Sequence, residues 1–112
     1  MVTAETAVVL PVLLLVLAGA VAAVTVVGAQ LRCVDAAREG ARAAARGEAT
    51  ATVEALVSRA APDGATSVVS LGAEQVTVTV SARIAPLGPL PLVITVSAEA
   101  VAIREPALGA TG

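Results

Sequence analysis

Residues 6–31 carry no charge, and most of them are Val, Leu or Ala. A helix rises about 1.5 Å per residue and a bilayer core is about 30 Å thick, so roughly 20 apolar residues span it. The run is long enough even with tilt. Its side chains are apolar all round, as in a helix that meets lipid or other apolar helices rather than water on one side. Pro11 removes one hydrogen bond early in the run and predicts a local bend, which neighbouring groups in a membrane tolerate. No cation precedes the run, and it is longer than the apolar core of a secretory signal, so it reads as a retained anchor.

Glu5 stands at the mouth of this helix. An ionised carboxylate there is costly unless it stays at the interface or meets a cation, and the helix dipole favours a negative charge at its N-terminus. Beyond Gln30 the character changes. Arg32, Asp35, Arg38, Glu39, Arg42, Arg46 and Glu48 are set among alanines. The pairs Arg32/Asp35, Asp35/Arg38 and Glu39/Arg42 stand three apart, a spacing that supports an exposed helix by a few tenths of a kcal/mol each; Asp35 and Glu39 oppose one another slightly. Alanine is the best helix former, so the helix is expected to continue unbroken to about Arg46 and to stop at Gly47. That makes one rod of about 42 residues, about 60 Å long.

Thr3-Ala4-Glu5, the uncharged helix with Pro11, and the block Ala29-Gln30-Leu31-Arg32-Cys33-Val34-Asp35-Ala36-Ala37-Arg38-Glu39-Gly40-Ala41-Arg42-Ala43-Ala44-Ala45-Arg46-Gly47 together resemble the TadE-like minor pilins of actinobacterial Flp (tight adherence) type IV pili. The resemblance covers the first half of the chain well and the remainder in outline. It implies that a prepilin peptidase cuts after a Gly, that Met1 is the first residue of the mature chain, and that Glu5 is the glutamate found at the fifth mature position. Glu5 would then sit beside the N-terminal amine of a neighbouring subunit and set axial register. The implied partners are the major Flp pilin, other minor pilins, the prepilin peptidase, the Tad platform membrane proteins and membrane lipid. The implied place is the cell membrane, single-pass, with the C-terminal part outside and the chain able to enter a surface pilus.

After the rod, Thr50–Ala60 reads as a short helix, with Val53, Leu56, Val57 and Ala60 on one face. Pro62-Asp63-Gly64 turns the chain. The period then becomes two. Thr66–Leu71 is a weak strand, Gly72-Ala73-Glu74 a turn, and Gln75–Ile84 a clear strand with Val76, Val78, Val80, Ala82 and Ile84 on one side. Residues 86–91, Pro-Leu-Gly-Pro-Leu-Pro, form a loop because prolines lack the ladder N–H; Leu87 and Leu90 either fold back or are offered to a partner. Residues 92–103 resume the extended pattern, but Ile94, Val96 and Ala98 are out of phase with Val101 and Ile103, which predicts a bulge near Glu99. Glu105-Pro106 ends the strand, and residues 107–112 read as a mobile tail.

The expected fold is α+β: a long N-terminal transmembrane helix of pilin-stem type, a short second helix and a three-stranded antiparallel meander. The expected division is 1–31 for the N-terminal segment and membrane helix, 32–47 for the stem outside it, and 48–112 for the small α+β domain. Such a meander needs a helix over one face. Phe, Tyr and Trp are absent, so the core buries little area per residue and the domain is expected to be weakly stable alone.

The chemistry for catalysis is missing from the pattern. There is no His to act as general base, no phosphate loop, and Cys33 has neither a His to activate it nor a second Cys with which to hold a metal. No enzyme, cofactor or metal is expected, and a net charge of −2 supplies no field for nucleic acid. Cys33 is either an unpaired thiol or one half of a bridge between chains. Small residues at helical spacing, Gly19 with Ala23 and then Ala36, Gly40 and Ala44, permit close helix packing or reflect the high alanine content. Two functions fit: a structural minor pilin or pseudopilin, and an unprocessed single-span membrane adaptor whose β domain binds a partner. Arg32, Arg38, Arg42 and Arg46 all follow the span, which by the positive-inside rule favours the adaptor's cytoplasmic domain.

Overall fold

A computed structural model of the chain describes residues 2–104; Met1 and residues 105–112, with the expected strand end and tail, lie outside the described residues. One helix, α1 (Val2–Ala45), supplies most of the length, and Pro11 lies inside it. Forty-four residues at 1.5 Å each make a rod of about 66 Å, within a molecule whose extents are 83 × 20 × 17 Å. The rod ends at Gly47, whose φ of +85° is a left-handed conformation open to glycine without strain. The Glu48 N–H donates to Ala43 O at 3.2 Å and the Gly47 N–H to Ala44 O at 3.0 Å, the paired bonds of a Schellman cap.

A second helix, α2 (Thr50–Ala60), returns along α1 and buries Val53 and Val57. Asp63 and Gly64 then reverse the chain, with the Ala65 N–H donating to Pro62 O at 3.1 Å and Gly64 at φ +75°, as a type II turn requires. Three strands follow, β1 (Thr66–Leu71), β2 (Gln75–Ile84) and β3 (Ile94–Ile103), in the antiparallel order β1-β2-β3. The fold is therefore the α+β arrangement expected, a long apolar helix, a short one and a three-stranded meander.

The core lies where the outer half of α1 crosses the sheet. Ala29, Cys33, Ala36, Ala37, Ala41 and Ala44 recur at three and four along α1 and are buried together with Val53 and Val57 of α2 and Val76, Val78, Val80, Ala82 and Val96 of the sheet. Residues 32–47 and the β region thus share a single core. No aromatic side chain is needed because the helix face is alanine and glycine, so helix and sheet approach closely and valine fills the space between them.

The third strand differs from expectation. It begins at Ile94, and its register with β2 runs one to one from Gln75↔Ile103 to Ile84↔Ile94. There is no bulge near Glu99. Instead, Ala98, Ala100 and Ala102 keep the inward phase, while Val101 (54 % exposed) and Ile103 (77 %) point outward. Ala100 and Ala102 face α1 beside Arg38, Ala41 and Arg42, across an open groove that Val101 also lines, and the one-to-one pairing with β2 sets that phase.

Candidate functional site

The half of α1 before Ala29 projects beyond the core. Between Val8 and Leu17 every valine and leucine is at least half exposed, with Leu15 at 72 %. A helix so apolar and so exposed is unstable in water. Length and composition allow it to cross a membrane, and it fits a single-pass membrane protein. Its polar groups agree with that setting: the Thr25 hydroxyl donates to Val21 O at 2.9 Å, satisfying itself within its own helix. Glu5 occupies the first turn, exposed, and flanks a shallow apolar groove formed with Thr6, Val9, Leu10 and Leu13. Its carboxylate stands at the positive end of the helix dipole, which favours a negative charge there.

The small residues divide between two roles. Gly19 and Ala23 stand on the exposed half, and a Cβ built on Gly19 would meet nothing within 4 Å. Ala36, Gly40 and Ala44 are buried in the chain's own core. A Cβ on Gly40 would lie 2.5 Å from Val57 Cγ2 and 3.2 Å from Val78 Cγ1. Their smallness admits α2 and β2 to α1, not a second chain.

Cys33 is likewise inside. Its side chain is 0 % exposed, so the fold closes off the interchain bridge that the sequence left open. Burial pushes the thiol above its usual range, and the neighbouring Arg32 guanidinium opposes that shift.

The charges along α1 make one ion pair among the described residues, Arg46 to Glu48 at 3.0 Å across the cap. The pairs Arg32/Asp35, Asp35/Arg38 and Glu39/Arg42 do not close to that distance. Arg32 reaches instead to Ala61 O at 3.3 Å, tying the end of α2 to the stem. Asp35, Arg38, Glu39, Arg42 and Glu48 line an open groove with Leu56; acids and bases alternate there, as on a solvated face.

Two placements could not be read from the sequence: the level of β3 on α1, and with it the position of the loop whose leucines the sequence singles out. The Gln30 side-chain amide donates to Ser97 O at 2.8 Å, which fixes the level of β3 on α1. The loop of residues 85–93 consequently lies at the stem end of the domain. Its signal was present, since residues 84–98 contain no charge. Within the loop Leu87 is half-buried, whereas Leu90, Leu92 and Val93 are exposed.

Residues 1–42, most of α1, match the family described as TadE-like protein. A relative from Mycobacterium tuberculosis (strain ATCC 25618 / H37Rv), named apoptosis inhibitor Rv3655c, is 39 % identical over 103 residues, covering 91 % of this chain and 78 % of the relative. The chain belongs to the TadE-like family. No solved structure matches it. The family match of this TadE-like chain ends within the core face of α1, and the likeness to the mycobacterial relative continues across most of the chain.

Proposed function

We propose that this TadE-like chain is a structural subunit of a Tad pilus-related apparatus, a minor pilin or pseudopilin held in the cell membrane by the first half of α1. One observation carries the reading. The TadE-like match, residues 1–42, falls on the helix whose first half is exposed and apolar all round and has Glu5 in its opening turn. In lipid or in a filament that half packs against like helices, where Gly19 and Ala23 allow close approach. Glu5 accepts the N-terminal amine of a neighbour and sets axial register, since a paired charge is tolerated in an apolar setting where a lone one is not. The domain that follows α1 lies outside the cell. Its partners are the major pilin, other minor pilins, the platform proteins and the prepilin peptidase, and Met1 is the first residue after processing. The role is structural, not enzymatic.

A second reading, the unprocessed single-span adaptor, is favoured by the four arginines that follow the span, Arg32, Arg38, Arg42 and Arg46. The mass and N-terminal residue of the protein purified from its native membrane separate the two. A terminus at Met1 bearing an N-methyl group is the expected result; an unmethylated terminus with nothing removed favours the adaptor. Independently, Glu5→Ala is expected to abolish assembly and leave membrane insertion intact, and normal piliation in that variant would count against the role of Glu5.

A further inference from the structure

The loop between β2 and β3 is built to leave water. Residues 84–98 are uncharged, and Leu90, Leu92 and Val93 are exposed side by side in the chain. Its backbone is nearly free of unsatisfied donors. Pro86, Pro89 and Pro91 have no N–H; the N–H groups of Gly88, Leu90 and Leu92 donate within the loop, to Ala85 O at 3.2 Å, Leu87 O at 3.5 Å and Leu90 O at 2.8 Å. Of residues 86–93, Leu87 and Val93 keep an N–H outside that set, and the carbonyls other than Leu87 O and Leu90 O lie outside it as well. Irregular backbone does not enter the hydrocarbon with polar groups unsatisfied, so this loop is suited to a shallow seat at the headgroup level, where its free carbonyls meet water while its leucines turn inward.

The position of the loop supplies the occupant. Strand β3 runs in the same sense as α1, because Ser97 is bonded to Gln30 while Ala100 and Ala102 lie beside Arg38, Ala41 and Arg42. Ile94 is three residues nearer the N-terminal half of the stem than Ser97, about 10 Å along a strand. On a helix that is roughly five to seven residues back from Gln30, allowing for the slant of strand across helix, which reaches the turn around Thr25. Val26 does pack against the core there. The exposed leucines therefore stand level with the uncharged run of α1. The nearest charges are Arg32 on the stem, Arg83 just outside the loop and Glu99 farther from its end, with Arg83 and Glu99 exposed.

We infer that residues 86–93 dip into the leaflet from which the domain emerges, so that the protein is held by its helix and by a second, shallow apolar wedge. The occupant is lipid, continuous with that around α1, and the inference rests on α1 being a membrane span. A domain so seated cannot swing freely about the stem. Its lower edge lies in the interface and the sheet stands up from it.

The chain has no Trp, Tyr or Phe, so a single introduced Trp reports without background. The full chain is reconstituted in vesicles of equal phosphatidylcholine and phosphatidylglycerol, with bromine on the acyl chains as quencher. Leu90→Trp and, as a second probe, Leu92→Trp are compared with Leu14→Trp in the span and Val101→Trp at the far end of the sheet. The expected result is blue-shifted emission at both loop probes, with bromine quenching several-fold above that of Val101→Trp and acrylamide quenching several-fold below it. Loop probes that behave like Val101→Trp while Leu14→Trp is quenched by bromine would overturn the wedge and leave the span standing. Shielding of the loop from both quenchers would mean that protein covers it and would also overturn the wedge. If Leu14→Trp escapes bromine, the span reading fails and the wedge with it.

Discussion

Two buried residues of α1 show how tightly the stem is fitted to the domain. At Gly40 the absence of a side chain is required, since a Cβ would lie 2.5 Å from Val57 Cγ2 and 3.2 Å from Val78 Cγ1. Alanine gains about 1 kcal/mol of helix propensity over glycine, whereas overpacking a filled core costs about 1–3 kcal/mol; Val57 is β-branched and buried, so it yields little. Gly40→Ala is expected to lower stability in detergent by about 1 kcal/mol net, measured by urea unfolding. Adding Val57→Ala should remove the added penalty of the first change, a non-additivity that a purely local helix effect would not give. Cys33 offers a pH test. Its thiol is raised by burial, so over the window between the unfolded and folded values the folded state holds more protons than the unfolded one. Stability is then full below the unfolded value, about pH 8.5, and falls as pH rises toward the folded value. With no Lys or Tyr in the sequence, Cys33 is the side chain that titrates in that range. Cys33→Ala should flatten the dependence, and an unchanged slope in that variant would rule the thiol out as its source.

At the scale of elements, β3 tells most about what residue patterns convey. Alternating hydrophobicity placed β2 without ambiguity because its inward residues, Val76, Val78 and Val80, are larger and more apolar than the Thr and Ser between them. On β3 that contrast is inverted. Alanine lies inside beneath α1 and Val101 and Ile103 lie outside, so a reading by hydrophobicity shifts the phase and inserts a bulge. The missing information was which side of β3 turns toward α1, which its unbroken pairing with β2 sets and its own side chains do not. The long helix, its glycine stop, the short helix and the meander were all legible, as they rest on local propensity and turn chemistry. Glu5 could be singled out in the sequence, but the interior placement of Cys33, Ala36, Gly40 and Ala44 could not, because it depends on the return of α2 and the sheet onto α1. The phase can be checked directly. Ile103→Lys should change stability by no more than about 0.5 kcal/mol, as exposed substitutions do, whereas Val96→Lys, buried beside α1, should unfold the sheet. Severe loss from Ile103→Lys as well as from Val96→Lys would restore the bulged register, in which both side chains face inward.

Over the whole molecule, stem and sheet behave as one body because the outer half of α1 is a wall of the core. Five fully buried valines, Val53, Val57, Val76, Val78 and Val80, pack in a cluster to which α1 contributes Ala29, Cys33, Ala36, Ala37, Ala41 and Ala44. Burying a valine is worth about 1.5–3 kcal/mol, so exposing most of this set would cost on the order of 10 kcal/mol, comparable to the entire net stability of a small domain, about 5–15 kcal/mol. A fragment of residues 48–112 is therefore expected to be unfolded, with collapsed amide dispersion and no strand signature by circular dichroism. A fragment of residues 29–112 in mild detergent retains the stem wall and should show the sheet. If 48–112 folded alone, the stem would be a mere tether and the sheet free to turn on it. If neither folded, the exposed half of α1 would be needed for the core as well as for the membrane. The expected result, folding of the longer fragment only, means that displacement of the stem along its axis moves the sheet with it. For the pilin subunit proposed above, drawn out of the membrane by its helix, that coupling would carry the extraction force straight to the domain.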